Sequence, residues 1–137
     1  MAIKNYKDYL ASLRNLRSNI YKFDQPIVDV TTHPATKNTI EGHAALYRAQ
    51  FDDQMKGLVT TTSHLTGEPI SRYLSIVQSA EEMIANCKVK RLAFLLTGTC
   101  TGGRCVGWTA LNSLFVTTFD CDRETGSTYH PRLLEWL

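Results

Sequence analysis

Three glycines, Gly98, Gly102 and Gly103, break what would otherwise be one helical run from Ser79 to Gly126. Glycine costs about 1 kcal/mol in a helix interior, and clustered glycines leave the chain free to turn, so this region reads as two helices joined by a loop. Ser79, with Glu82 three residues on, is a capping-box signature for the first, which carries Met83, Ile84, Cys87, Leu92 and Leu95. The second is expected to begin near Gly103 or Arg104, with Cys105, Trp108, Leu111, Leu114, Phe115 and Phe119 on its core side and Gly126 as its stop.

Upstream, Asn5 precedes apolar residues at helical spacing, Tyr6, Tyr9, Leu10, Leu13 and Leu16, which predicts a capped first helix. From Ile20 to Val30 bulky and polar residues alternate, as in a short hairpin or extended arm. Proline is tolerated in the first turn of a helix, so His33-Pro34 opens a second helix running to about Gln50, with Ile40, Ala44, Tyr47 and Phe51 on its apolar face. Between Leu58 and Val77 the residues favour strands, broken at Gly67-Glu68-Pro69 into a small antiparallel hairpin. Pro131 starts a last turn that ends on Leu134-Glu135-Trp136-Leu137, half an amphipathic helix, which is expected of a truncated chain. The fold class is therefore mainly α with a small β-hairpin component.

At 137 residues the chain is one ordinary domain, residues 1–137, able to bury about two-thirds of its unfolded surface. With 43% hydrophobic and 20% charged residues it matches globular averages, which excludes a disordered or collagen-like class. A net charge of +2 without a dense basic run argues against nucleic acid as a partner. Leu92 to Leu96 is the longest apolar stretch, too short for a membrane span, and the N-terminus has no signal-like apolar region, so a cytoplasmic location is expected. In that compartment the four cysteines read as thiols or metal ligands rather than disulfides.

The segment richest in chemistry is Thr97 to Trp108. Cys100 and Cys105 are five apart, about 140° on an unbroken helix, but a loop through Gly102-Gly103 can bring both to one centre. A helix N-terminus there would stabilise an anionic thiolate-ligated cluster. Two thiolates are half a site, since zinc and iron–sulfur centres want about four protein ligands. Cys87, Cys121, His33, His43, His64 and His130 are the other candidates, none at a ligand spacing, and Cys87 and Cys121 suit core positions. Plain packing of small cysteines explains the same spacing, and a local Cys100–Cys105 disulfide is a third reading.

Gly98 to Gly103 nearly matches a phosphate-binding loop, but Arg104 and Cys105 stand where lysine and a hydroxyl are needed. His33 and His130 precede prolines and read as helix-leading residues bonded to backbone. Tyr21, Phe23, Tyr47 and Tyr73 read as core and edge packing, because no basic groove accompanies them.

With those residues in view, the sequence resembles the N-terminal part of the 4-hydroxybutyryl-CoA dehydratase and 4-hydroxyphenylacetate 3-hydroxylase family of flavoproteins. The likeness runs through Tyr9-Leu10-x-x-Leu13-Arg14, Tyr21-x-Phe23 and Asp29-Val30-Thr31-Thr32-His33-Pro34. It continues in Arg104-Cys105-Val106-Gly107-x-x-Ala110-Leu111-Asn112 and closes on Thr125-Gly126-x-x-Tyr129-His130. Cysteines around this arginine-cysteine-valine-glycine motif are similar to the dehydratase branch. The resemblance implies the N-terminal helical domain of an acyl-CoA-dehydrogenase-like fold, truncated from a larger homotetrameric flavoenzyme with further β-rich and helical domains.

In the dehydratase branch, FAD faces a [4Fe-4S] cluster held by two N-terminal cysteines and by a histidine and cysteine from further along. Carried over, the resemblance makes Cys105 the second cysteine and Cys100 the first, with one extra residue between them, and Gly103 stands where the branch has glutamine. Arg104 is a candidate substrate-binding residue, since the hydroxylase branch has an arginine in a similar place. No catalytic residue is assigned within this chain. The implied function is dehydration of a 4-hydroxyacyl-CoA, with vinylacetyl-CoA isomerase activity. The alternatives are a flavin-dependent 4-hydroxyphenylacetate 3-hydroxylase-type monooxygenase acting on an aromatic substrate, and a non-catalytic helical interaction domain. The fragment alone is expected to be inactive and to hold neither cofactor fully.

Overall fold

The computed structural model describes residues 3–16, 19–98 and 103–137, with backbone alone at 103 and 104. Helix α1, Tyr6–Arg14, starts where the sequence predicts: the Asn5 side chain accepts from the Asp8 N–H at 3.0 Å and the Asp8 carboxylate from the Asn5 N–H at 3.2 Å. This reciprocal cap satisfies two otherwise orphaned donors. Strands β1, Tyr21–Lys22, and β2, Gln25–Pro26, form the expected hairpin. Its two-residue turn places Phe23 and Asp24 at φ of 49° and 60°, the left-handed geometry that matches strand twist. Phe23 is 88% exposed and Tyr21 also faces outward, so neither contributes the packing expected of it.

Helix α2, Lys37–Ala49, begins three residues after Pro34. Residues 29–36 are held as successive turns. Asp29 accepts from the Thr31 N–H and hydroxyl at 2.8 and 2.6 Å, His33 Nδ1 accepts from the Ala35 N–H, and Thr36 donates its hydroxyl to the Val30 carbonyl. His33 thus has the backbone-bonded role the sequence suggests. Ile40, Ala44, Leu46 and Ala49 are buried on α2, while Phe51 lies beyond the helix and is exposed. Tyr9 of α1 stacks on Tyr47 with centroids 4.4 Å apart, and Tyr6 donates to Glu41, which also pairs with Arg48 at 2.8 Å. Those hydrogen bonds hold the Glu41 carboxyl below its ordinary value, that from Arg48 foremost.

The segment read as a strand from Leu58 opens instead with a short helix, α3, Lys56–Val59. Asp52 caps its approach by accepting from the Gln54 and Met55 N–H groups, and Arg72 donates to the carbonyls of Leu58 at 2.7 Å and Thr60 at 2.9 Å. These side-chain bonds to the backbone outweigh the local strand propensity. Strands β3, Thr60–Thr62, and β4, Pro69–Ser71, then pair antiparallel, and a 3₁₀ turn over Arg72–Leu74 follows.

Helix α4, Ala80–Thr97, is capped by Ser79, whose hydroxyl accepts from the Glu82 N–H; Glu82 reaches back to the Gln78 N–H at 2.7 Å. Gly98 ends it in the left-handed region, φ 67°. The face turned to the core is Asn86, Val89 and Ala93, with Leu92 beside it. Met83, Ile84 and Leu95 are exposed, and so is Cys87, which the sequence suggests for a core position. Helix α5, Gly103–Thr125, stops at Gly126, also left-handed, as expected. Leu111 is buried and Cys105 and Trp108 pack against the core, whereas Leu114 and Phe119 are exposed. Helix α6, Tyr129–Trp136, folds back on α5: Asp122 accepts from the N–H groups of Tyr129 and His130, and the His130 ring lies edge-on to Phe115 and Phe119.

The main core joins Leu46, Ala49, Val59, Tyr73, Val89 and Ala93 across α2, α3, the 3₁₀ turn and α4; a smaller one joins Ile27, Val30 and Ile40 under α1. Among the described residues no helix is long and apolar enough to cross a membrane.

Candidate metal centre

Cys105 is the third residue of α5 and is half-buried. One side of it packs on the core beside Trp108, and the other lines an open groove of about 490 Å³ shared with Lys90 of α4 and Val106, Thr109, Ala110 and Ser113 of α5. Cys100 and the side chain of Arg104 lie outside the described residues, so their expected convergence with Cys105 has no geometry to report.

A polar clamp fixes the stretch of α5 that carries Cys105. The Ser75 carbonyl accepts from Trp108 Nε1 at 3.0 Å and from Asn112 Nδ2 at 3.1 Å, while Asn112 Oδ1 accepts from the Val77 N–H at 2.7 Å. Below it, buried Asn86 of α4 approaches the Ser75 hydroxyl at 3.5 Å, and its Oδ1 has no partner among the described residues. The clamp went unrecognised in the sequence. Its signal was Asn112 itself, a polar residue set among the core-facing positions Trp108, Leu111 and Phe115, where a buried amide needs partners.

The remaining described ligand candidates form no group of three with Cys105. Cys87 is exposed on the outer face of α4, and neither it nor Cys121 occupies the core position expected. Cys121 is half-buried near the hydroxyls of Thr125 and Ser127, and sixteen residues along a helix put it about 24 Å from Cys105. His33 is in the turn before α2, His43 on α2, His64 in the β3–β4 loop and His130 on α6, its Nδ1 3.0 Å from the Thr118 hydroxyl. Among the described residues no group of three His, Cys, Asp or Glu is placed to hold a metal ion. As a donor set, a cysteine that lines an open groove fits a thiolate-ligated cluster completed by other polypeptide, and the described residues alone do not make a closed four-ligand site.

The sequence profile described as 4-hydroxyphenylacetate 3-hydroxylase N terminal matches residues 5–137. The 4-hydroxybutyryl-CoA dehydratase/vinylacetyl-CoA-Δ-isomerase of Clostridium aminobutyricum is 34% identical over 131 residues, which is 96% of this chain and 26% of that protein. The 4-hydroxyphenylacetate 3-monooxygenase oxygenase component of Geobacillus sp. (strain PA-9) is 32% identical over 85 residues, 62% of this chain and 17% of that protein. Among solved structures, an oxygen-tolerant archaeal 4-hydroxybutyryl-CoA dehydratase from N. maritimus superposes with a TM-score of 0.91 at 35% identity, over 98% of this chain and 26% of that one. The HpaB oxygenase component of 4-hydroxyphenylacetate 3-monooxygenase, complexed with FAD, gives 0.58 at 21% identity over 66% of this chain and 19% of that one, a likeness of fold alone. The chain therefore spans about a quarter of the length of the dehydratases it matches.

Proposed function

Because the chain belongs to the family of 4-hydroxyphenylacetate 3-hydroxylase N-terminal domains, we propose that it is the N-terminal helical domain, residues 1–137, of a cytoplasmic 4-hydroxybutyryl-CoA dehydratase-like lyase. The observation that carries this reading is the identity to a dehydratase over 96% of the chain. Cys105 at the start of α5, open to a groove, supports it. On this reading the complete enzyme uses FAD and a [4Fe-4S] cluster, and its other domains and a homo-oligomeric partner complete the site.

Cys105 would be one cluster ligand and Cys100 the second, with the remaining ligands supplied by polypeptide outside this chain. When bound, flavin and cluster supply the one-electron and Lewis-acid chemistry needed to take water from a 4-hydroxyacyl-CoA whose β-hydrogen is unactivated. The chain's own contribution is positional. Trp108 and Asn112 tie α5 to the extended segment at Ser75 and Val77, which fixes the height and rotation of Cys105. Cys105 packs against the core and also lines the groove, which would be the side left for the cluster. Arg104, one residue before, is proposed to bind substrate.

The second reading, a flavin-dependent monooxygenase component acting on an aromatic substrate, is favoured by the family profile and by the monooxygenase relatives. Paired assays of the full-length polypeptide, one anaerobic and one in air, separate the two. Dehydration of 4-hydroxybutyryl-CoA without added reductant supports the lyase; oxygen-dependent hydroxylation of 4-hydroxyphenylacetate with a supply of reduced flavin, and no dehydration, overturns it.

A further inference from the structure

We propose that Lys90 of α4 gives the Cys105 groove a positive charge and thereby raises the reduction potential of the iron–sulfur centre, an inference that rests on the lyase reading above. Lys90 lines the same groove as Cys105 and is the one charged side chain among the described residues of that lining. Residues 83–119, which supply both walls, contain four cations, Lys88, Lys90, Arg91 and Arg104, and no aspartate or glutamate. The whole chain carries only +2, so this stretch is more positive than the chain that contains it. Among the described residues Lys90 pairs with no carboxylate, and its charge is not cancelled locally.

Helix geometry singles out Lys90 among the three cations of α4. Asn86, Val89 and Ala93 are the buried residues of that helix, which fixes its rotation. At about 100° per residue, Lys90 stands about 70° from the mean direction of those three, Lys88 about 130° and Arg91 about 170°. Lys90 alone is therefore set at the edge of the helix interface, where the groove opens. The opposite wall offers no competing charge: Val106 and Ala110 are apolar, and Thr109 donates its hydroxyl to the Cys105 carbonyl at 2.9 Å. A cluster held at Cys105 gains one negative charge on one-electron reduction, and a fixed cation beside it stabilises the more negative form. Lys90 is not a ligand. Its effect is one of charge, so arginine can take its place and a neutral side chain cannot.

The charge is measurable without iron. With Cys87, Cys100 and Cys121 replaced by serine, Cys105 is the one thiol left in the 137-residue chain. Its exchange with the dianionic 5,5′-dithiobis(2-nitrobenzoate) is compared with its exchange with the neutral 2,2′-dithiodipyridine; the ratio of the two rates cancels the thiolate fraction and reports the local field. At low salt Lys90→Gln should lower the dianion-to-neutral ratio about three-fold and Lys90→Glu about ten-fold, while Lys90→Arg and Lys88→Gln leave it unchanged. The second arm is a mediated redox titration of the anaerobically purified full-length polypeptide, followed by electron paramagnetic resonance. There Lys90→Gln should lower the reduced-to-oxidised ratio about ten-fold at fixed ambient potential, a fall of about 59 mV for a one-electron couple, with Lys90→Arg at the parent value. An unchanged exchange ratio in Lys90→Gln, an equal drop in Lys88→Gln, or an iron-loaded Lys90→Gln enzyme at the parent potential would each overturn this inference alone. An iron-free parent overturns the lyase reading and, with it, the role of Lys90 at the cluster.

Discussion

Replacing Asn112 by alanine should cost the fold more than any other single polar substitution on α5. Its Oδ1 is the acceptor for the half-buried Val77 N–H at 2.7 Å, and its Nδ2 donates to the Ser75 carbonyl at 3.1 Å. Orphaning the Val77 donor costs about 1–3 kcal/mol, and losing the bond to Ser75 costs about 1 kcal/mol more. Alanine returns roughly 0.6 kcal/mol as the better helix former. The net expectation is a loss of about 2 kcal/mol, which in a chain of this length lowers Tm by about 6–10 °C. Trp108→Phe, which removes one donor from the same carbonyl while keeping most of the ring, should cost about 1 kcal/mol. In the double variant Ser75 loses both donors, so the combined cost should exceed the sum of the singles by about 1 kcal/mol. Urea unfolding followed by far-ultraviolet circular dichroism measures all three. An Asn112→Ala loss below 0.5 kcal/mol, or strict additivity in the double variant, refutes the clamp as an energetic unit.

Three further outcomes follow from the same contacts. Gly98→Ala should destabilise by about 1–2 kcal/mol through backbone strain alone, since φ is 67° and a Cβ there meets nothing within 4 Å; an unchanged urea midpoint contradicts this. Leu46→Ala, deleting one of the largest fully buried side chains, should cost about 2–5 kcal/mol by the same measurement. Asp122 is pulled two ways: burial raises its carboxyl, but hydrogen bonds from Ser127 and the N–H groups of Tyr129 and His130 win and hold it below its ordinary 3.8, as a hydrogen bond from Thr31 does for Asp29. A carboxyl lowered on folding binds its proton more readily when unfolded, so its stabilisation is full above 3.8 and is lost as pH falls through the lowered folded value. Acid unfolding curves of Asp122→Ala should therefore be flatter below pH 3.8 than those of the parent chain, and superimposable curves would remove Asp122 from the account.

Much of the chain's architecture was legible because it is written in local chemistry. Asn5 and Ser79 mark helix starts, Gly98 and Gly126 mark stops, and Gly67 lies in the turn between two strands. What escaped depends on side chains reaching across sequence. Helix α3 survives in a strand-favouring stretch because Arg72, fourteen residues from Leu58, caps its carbonyls. The inner face of helix α4 was not legible because its apolar residues form two stripes: Val89 and Ala93 meet the core, while Met83, Ile84 and Leu95 lie on a face left exposed among the described residues. Periodicity detects a stripe but does not say which neighbour it meets. For the metal centre, the sequence singled out Cys105 as a candidate ligand, while the Asn112 clamp that holds it needed the fold, because Ser75 and Val77 are more than thirty residues away.

The most direct test of the lyase reading counts iron and acid-labile sulfide in the anaerobically purified full-length polypeptide and in its Cys105→Ala variant. The account predicts about four of each per chain in the parent, as a [4Fe-4S] centre requires, and loss of both in the variant, with the flavin retained. An iron-free parent, or a variant that keeps its full complement, would contradict it.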